Sequence, residues 1–505
     1  MAIALDPANL KGSRVPIAIP LVGLLALGAL QLFIGASPLV VALGVVGALA
    51  SFIPLHLYGG EIYSFFALIF GVRYLLAGML LKTLAWQPLD THLFDPATSY
   101  AATAALVSTT TLVVLVVRKF DPERDFLPFP TDPASLRRLA MACLAIGLAG
   151  MLIVGSRDQT SGEGNGGAIL VLASGFATFS VLALSAEAMR AVQLSNGKTL
   201  ISPALAGMLG ALFLLTVMMN QRGFLLDCLI AVAVVGFVYR ALSAKLIAAG
   251  LAFAIFFVSF LSPLTLFLRT QKGLPPAVFA DVAISTMGRM VVDSSFRKVI
   301  VANATLQKTL ENNDSEDYDY FGDRGNVNNR LSFVALVDAV INGMRTRDWI
   351  GYPVVEKSLS AIMPGFMGFK KEAVSTGDWL GWRVGLLTYP YTTYMVFGMP
   401  SEGYVTWGPL GLIFYPLIFL TVALLAVSRL CSLRMVTPVS IFMLATLQTE
   451  IVESTSDGFL NLIMRGLPVT FVALFAIYVV MFGGRRRRSP LQRARTRVTT
   501  SSVQI

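Results

Sequence analysis

The chain has 505 residues, of which 55% are hydrophobic and only 13% charged, with a mean hydropathy of +0.72 and a formal net charge of +10. Soluble domains carry roughly 25% charged residues. A surface this poor in charge is tolerable only where lipid covers it, which excludes a set of soluble domains. Two histidines (His56, His92) without ligand-type neighbours and three cysteines in apolar stretches (Cys143, Cys228, Cys431) offer no zinc site, no disulfide framework and no histidine catalysis.

A membrane span needs about 20 mostly apolar residues. In chain order, such stretches predict spans near 17–35, 37–55, 61–82, 99–118, 136–155, 167–186, 201–220, 223–241, 245–269, 407–428, 437–452 and 463–482. The first is expected to stay in the mature protein. It is too long for a signal peptide, lacks a small-residue cleavage site and is followed at once by a second span. The expected fold is therefore an all-α polytopic membrane protein of about twelve spans. It divides into 1–269 (nine spans), a large loop 270–406, 407–482 (three spans) and a basic tail 483–505.

Lysine and arginine set the expected orientation. Lys11 and Arg14, the cluster Arg118, Lys119, Arg124, Arg137 and Arg138, then Arg190, Lys198, Arg240, Lys245, Arg429 and Arg434 all fall on one face if twelve spans leave both termini inside. The tail adds Arg485 to Arg488, Arg493, Arg495 and Arg497. The opposite short loops hold only Lys82, Arg157, Arg222 and Arg465. This asymmetry assigns the positive charge to topology and anionic lipid contact, so nucleic acid is not an expected partner. The loop 270–406 then lies on the non-cytoplasmic side. It holds 13 basic and 14 acidic residues, and with Trp349, Trp379 and Trp382 it has the composition of a small folded unit.

Several residues need a reason to be where they are. Arg222, in the short turn Met218-Met219-Asn220-Gln221-Arg222-Gly223, reads either as an arginine snorkelling to the interface or as a five-donor fork for an anion such as diphosphate. Arg269 ends the ninth span in similar fashion. In the large loop, Arg330 precedes an expected amphipathic helix over 331–344, and Lys370 and Lys371 follow Ile362-Met363-Pro364-Gly365. Glu402 stands among glycines and aromatics at the mouth of a span, either as a general base or as a helix cap. Glu450, Glu453 and Asp457 are spaced as one helix face, with Asn461 continuing it and Arg465 following. Arg73, inside the third span, calls for a partner from another helix. Asp317-Tyr318-Asp319 reads as a solvated acidic stretch, and Gly162 to Gly167 as a flexible turn without the strand or lysine of a phosphate cradle. No metal site is expected.

With those residues in view, the chain resembles the bacterial oligosaccharide repeat-unit polymerases of O-antigen, capsule and exopolysaccharide pathways, within the O-antigen polymerase/ligase superfamily. Gln221-Arg222-Gly223 is similar to the family's Ser-Arg-Gly turn. Arg330-Leu331-Ser332 with the Gly351 and Ile362-Met363-Pro364 region resembles its large periplasmic loop. Ser401-Glu402-Gly403-Tyr404-Val405-Thr406-Trp407-Gly408-Pro409-Leu410-Gly411 resembles its Gly-Glu-x-Tyr-x-Asn-Phe-Gly-x-x-Gly segment. Ser401, Thr406 and Pro364-Gly365 depart from the usual Gly, Asn and Pro-Arg, so a loop arginine is either absent or has its role taken by Lys370 or Lys371. The likeness covers roughly 205–475.

The resemblance implies a GT-C-like fold in the bacterial inner membrane, with the large loop periplasmic. The implied activity is cofactor-free, metal-independent transfer of undecaprenyl-diphosphate-linked oligosaccharide, with a chain-length regulator and a flippase as partners. Glu402, Arg222 and Arg330 would be catalytic. Arg269, Lys370, Lys371, Glu453 and Arg465 would bind diphosphate or glycan. Two other readings stay open: an O-antigen ligase acting on lipid A–core, and a transporter of lipid-linked glycan, which would call for inverted repeats.

Overall fold

The computed structural model describes residues 14–155, 173, 175–219, 222–269, 274, 276–311, 320–321, 331–363, 374–389, 397–452, 454 and 456–482. Among these residues the regular structure is entirely helical. The helices are α1 (Ala18–Ile34), α2 (Pro38–Tyr58), α3 (Ile62–Leu84), α4 (Pro96–Phe120), α5 (Pro133–Gly155), α6 (Phe179–Leu194), α7 (Pro203–Met219), α8 (Arg222–Val238) and α9 (244–269). The large loop contributes α10 (Pro276–Val292), α11 (Ser294–Glu311), α12 (Val334–Gly343), α13 (Pro353–Ile362) and α14 (Thr376–Val384). A half-length helix α15 (Gly398–Trp407) then precedes α16 (Gly411–Leu430), α17 (Pro438–Leu447, prolonged by a π-helical turn Gln448–Val452) and α18 (Ser456–Phe482).

Local chemistry starts these helices where they start. Pro38, Pro96, Pro133, Pro203, Pro276, Pro353 and Pro438 each open a helix, at the position where a missing N–H costs nothing. The Asp95 carboxylate accepts from the Thr98 amide at 3.2 Å, and Thr437 and Ser440 form a reciprocal capping box. Among the described residues seven helices are long and apolar enough to cross a membrane, as expected of a polytopic membrane protein. Of the other expected spans, 17–35, 201–220, 223–241 and 437–452 each hold a shorter helix, and 245–269 is filled by α9, which a π-helical turn interrupts.

One boundary needs correction. The sixth span was expected at 167–186, yet among the described residues the apolar helix continues to Leu194. Glu187 and Arg190 lie just beyond the expected end of that span. Here Arg190 donates twice to Glu187, at 2.7 and 2.8 Å, and Ser202 donates to the same carboxylate at 2.8 Å. Charges paired one turn apart neutralise each other, so the helix continues through them.

One end of the bundle gathers the basic segments. Arg118 makes two hydrogen bonds to Glu61, at 2.6 and 2.7 Å, and lies over the Tyr58 ring. Asp121 accepts from the Ser432 hydroxyl and the Leu433 amide, and Asp125 from the Ser432 amide at 2.9 Å. Burial, helped by the charge of Asp121, pushes the Asp125 carboxyl up to about 6, against the Ser432 amide and Thr437 hydroxyl that favour its ionised form.

At the opposite end the large loop enters the bundle. The expected amphipathic helix over 331–344 is α12, and it is buried along Val334–Ile341. Its residues are apolar on every side, and its one charge is satisfied where it is buried. Asp338 accepts from the Phe94 amide (2.6 Å), the Asp95 amide (2.8 Å) and the Ser99 hydroxyl (2.7 Å), so it ties α12 to the start of α4. Lys82 is also fully buried, donating to Thr91 beneath the Tyr320 ring, whose hydroxyl meets that of Tyr100 at 2.6 Å. Helices α12 to α14 share the main core with the spans, while α10 and α11 form a second core with Leu225, Phe260, Leu264 and Leu268. The half-exposed rings of Trp349 and Trp407 mark this end, the place where tryptophan collects at a membrane interface.

Candidate functional site

Glycine builds the setting of Glu402. Gly398 (φ +68°) lies against the Tyr74 hydroxyl, halfway along α3, and Gly408 (φ +63°) lets the chain reverse beneath the Trp349 ring. Between them α15 packs back on α16 so closely that a Cβ on Gly411 would stand 1.7 Å from the Gly403 carbonyl oxygen. This crossing brings Glu402 to Tyr415, one turn into α16.

Glu402 is completely buried. One carboxylate oxygen accepts from the Ser456 amide at 2.7 Å and the Tyr415 hydroxyl at 3.1 Å; the other accepts from the Ser456 hydroxyl at 2.9 Å. Ser456 is the first residue of α18, so the carboxylate sits on the positive end of that helix and satisfies an otherwise orphaned amide. The cap expected for the helix next in sequence is instead a cap for the last span. The Ser456 hydroxyl also contacts that of Ser358 on α13. One buried chain, Tyr415–Glu402–Ser456–Ser358, thus joins two spans, the half-helix and the large loop.

The loop docks on the same helix at two further points. Thr376, at the start of α14, donates to Asp457 at 2.7 Å, and Arg465 donates to the Ile362 carbonyl at the end of α13. Arg465 therefore serves as a C-terminal cap in the Ile362-Met363-Pro364 region. Its own backbone lies in a π-helical turn, Leu462–Gly466.

The expected acidic face 450–457 is not one face. A π-helical turn over Gln448–Val452 and the start of α18 at Ser456 separate Glu450 from Asp457. Glu450 faces Asn461, whose amide donates to it at 3.5 Å, while Asp457 turns to Thr376. Gly458 allows the close crossing, since a Cβ there would lie 2.3 Å from the Glu450 carbonyl oxygen.

Arg73 finds its partner from another element, as its place in a span requires. Its guanidinium lies 4.9 Å from the Phe333 ring, and the Phe333 amide donates to the Arg73 carbonyl at 3.0 Å. Tyr74 is stacked between Phe70 and Phe333 and donates to the Val452 carbonyl at 3.3 Å. Both residues belong to a π-helical turn, Val72–Leu76, a backbone irregularity frequent at functional sites. Sequence reading missed Asp227 in α8, which accepts from the Thr449 hydroxyl at 3.1 Å. A carboxylate within an apolar span was the available signal.

Of the other expected site residues, Arg222 opens α8 and Arg269 closes α9, with side chains outside what the structure describes. Arg330, Lys370, Lys371 and Glu453 lie outside the described residues, as do Asp317-Tyr318-Asp319 and the Gly162–Gly167 turn. Among the described residues no group of three or more His, Cys, Asp or Glu side chains is placed to hold a metal. No family model, no curated protein and no solved structure matches this chain.

Proposed function

We propose that the chain is a twelve-span inner-membrane glycosyltransferase of GT-C-like architecture that polymerises oligosaccharide repeat units carried on undecaprenyl diphosphate at the periplasmic face. The observation that supports this reading best is the buried Tyr415–Glu402–Ser456–Ser358 chain. It fixes a half-helix, a broken span and the large loop around one junction, within the membrane yet near the interface where a lipid-linked glycan arrives.

In this reading the acceptor hydroxyl oxygen bonds to the donor's anomeric carbon as the carbon–oxygen bond to the diphosphate breaks. The diphosphate departs with the bonding electrons. Arg222, Arg269 and Arg330 offset the charge that develops there, a role a metal fills in other transferases. Glu402, buried and holding three hydrogen bonds, is the positioning residue that keeps the junction in register. The acceptor proton passes to a neighbouring carboxylate, of which Glu450 and Asp457 are partly exposed.

Complementation of a deletion strain tests this, with glycan length read by gel at matched protein levels. Wild type is expected to restore long chains, while Glu402→Gln and Arg222→Ala leave single repeat units. Full-length polymer in the deletion strain itself would sink the reading, and long chains left unattached to lipid A–core would point to a ligase.

A further inference from the structure

A groove of about 580 Å³ lies at the basic end of the bundle, between the first turns of α5 and the end of α18. It is lined by Ala134, Arg137, Arg138, Met141, Ala142 and Met481. Five of these six share one stripe of α5, at spacings of three and four residues, and the stripe changes character along the helix axis. Arg137 and Arg138 are exposed at the open end, and about 6 Å deeper, one helical turn, the wall becomes Met141 and Ala142, faced by Met481.

Neither guanidinium is in an ion pair among the described residues. Glu187 on α6 is close enough to feel Arg137, but its carboxylate is already occupied by Arg190 and Ser202. Asp132, just before α5, accepts from the Ser135 amide within its own helix start. The opening of α5 adds the positive end of the helix dipole to the two arginines. A cleft that is doubly cationic at the rim and apolar one turn below matches an amphiphile with a phosphate head. Arginine's fork suits phosphate oxygens, and the flexible methionines adapt to an acyl chain.

We infer that this groove binds one anionic glycerophospholipid, its phosphate on Arg137 and Arg138 and an acyl chain along Met141 and Met481. The site is independent of the glycosyl-transfer reading, because it lies at the other end of the spans from Glu402. A polyprenyl phosphate shares the head chemistry, so the test separates the two.

Purified full-length protein is released from micelles containing phosphatidylglycerol or phosphatidylcholine of matched chains, and retained lipid is counted by native mass spectrometry. Each basic residue at a membrane surface is worth about fivefold in lipid affinity. Wild type is expected to keep one phosphatidylglycerol roughly 30-fold more tightly than an Arg137→Gln/Arg138→Gln double variant that melts at the same temperature. If that variant does not fold, Met481→Trp replaces it as a reporter, with quenching expected from brominated phosphatidylglycerol and not from brominated phosphatidylcholine. Equal retention of the two lipids, unchanged retention in the double variant, or no selective quenching would overturn the site. Displacement by an equimolar amount of undecaprenyl phosphate would reassign it to the carrier lipid and overturn the glycerophospholipid.

Discussion

A single methyl group at Gly411 should open the crossing that holds Glu402. In Gly411→Ala the new carbon would stand 1.7 Å from the Gly403 carbonyl oxygen and 2.4 Å from its carbon, both backbone atoms that no rotamer change can move. Relief to 3.0 Å, the closest approach real Cβ atoms show, requires α16 to shift by about 1.3 Å relative to α15. Tyr415 rides on α16 one turn away, so its 3.1 Å hydrogen bond to Glu402 would stretch beyond 4 Å and break. Overpacking costs about 1–3 kcal/mol and a buried acceptor left short of a donor about 1–3 more, so the expected loss is about 2–6 kcal/mol. The assay is thermal unfolding in one detergent, with Gly23→Ala as reference because nothing lies within 4 Å of the methyl it adds. Gly403→Ala strikes the same crossing, at 2.3 Å from the Gly411 carbonyl oxygen, so the double variant should lose less than the sum of the singles. If Gly411→Ala melts with Gly23→Ala, the close packing of α15 on α16 is not what holds Glu402.

Two further predictions probe the ends of the bundle. Asp338→Ala strips three donors of their acceptor and should cost about 3 kcal/mol or more, with faster tryptic cleavage at Arg345 and Arg347. Asp338→Asn keeps the oxygen that serves Asp95 and Ser99 and should fall between the two, and unaltered proteolysis in the alanine variant would refute the anchor. At the basic end, the Asp125 carboxyl is raised to about 6, so it binds its proton more tightly folded than unfolded. Its stabilising effect is complete below the ordinary carboxylate range and is lost as pH rises through about 6. The melting temperature of wild type relative to Asp125→Asn should therefore fall between pH 5 and 7.5. A constant difference across that range would show that Asp125 does not titrate there.

Much of the architecture was legible in the residues because lipid imposes a coarse code. Twenty apolar residues make a spanning helix almost wherever they occur, and proline at a helix start needs no tertiary context. The code failed where charges cancelled locally. The sixth helix runs on past its expected end because Glu187 and Arg190 pair with each other. It failed again at α12, whose burial depends on Asp338 reaching three donors some 240 residues away in sequence.

The same division holds at the candidate site. Glycines flanking a lone glutamate pointed to backbone packed around a carboxylate, since only glycine permits the approach of α15 to α16 and the positive φ of Gly398 and Gly408. Which atoms the carboxylate meets was not legible. Ser456 and Glu402 are 54 residues apart, and the break that exposes the Ser456 amide interrupts what the spacing of Glu450, Glu453 and Asp457 presents as one continuous helix. Local composition determines whether a segment becomes a helix and whether lipid can cover it. Only the packing of distant segments decides which helix end a buried charge will satisfy, because that choice depends on long-range distances that no short stretch of sequence contains.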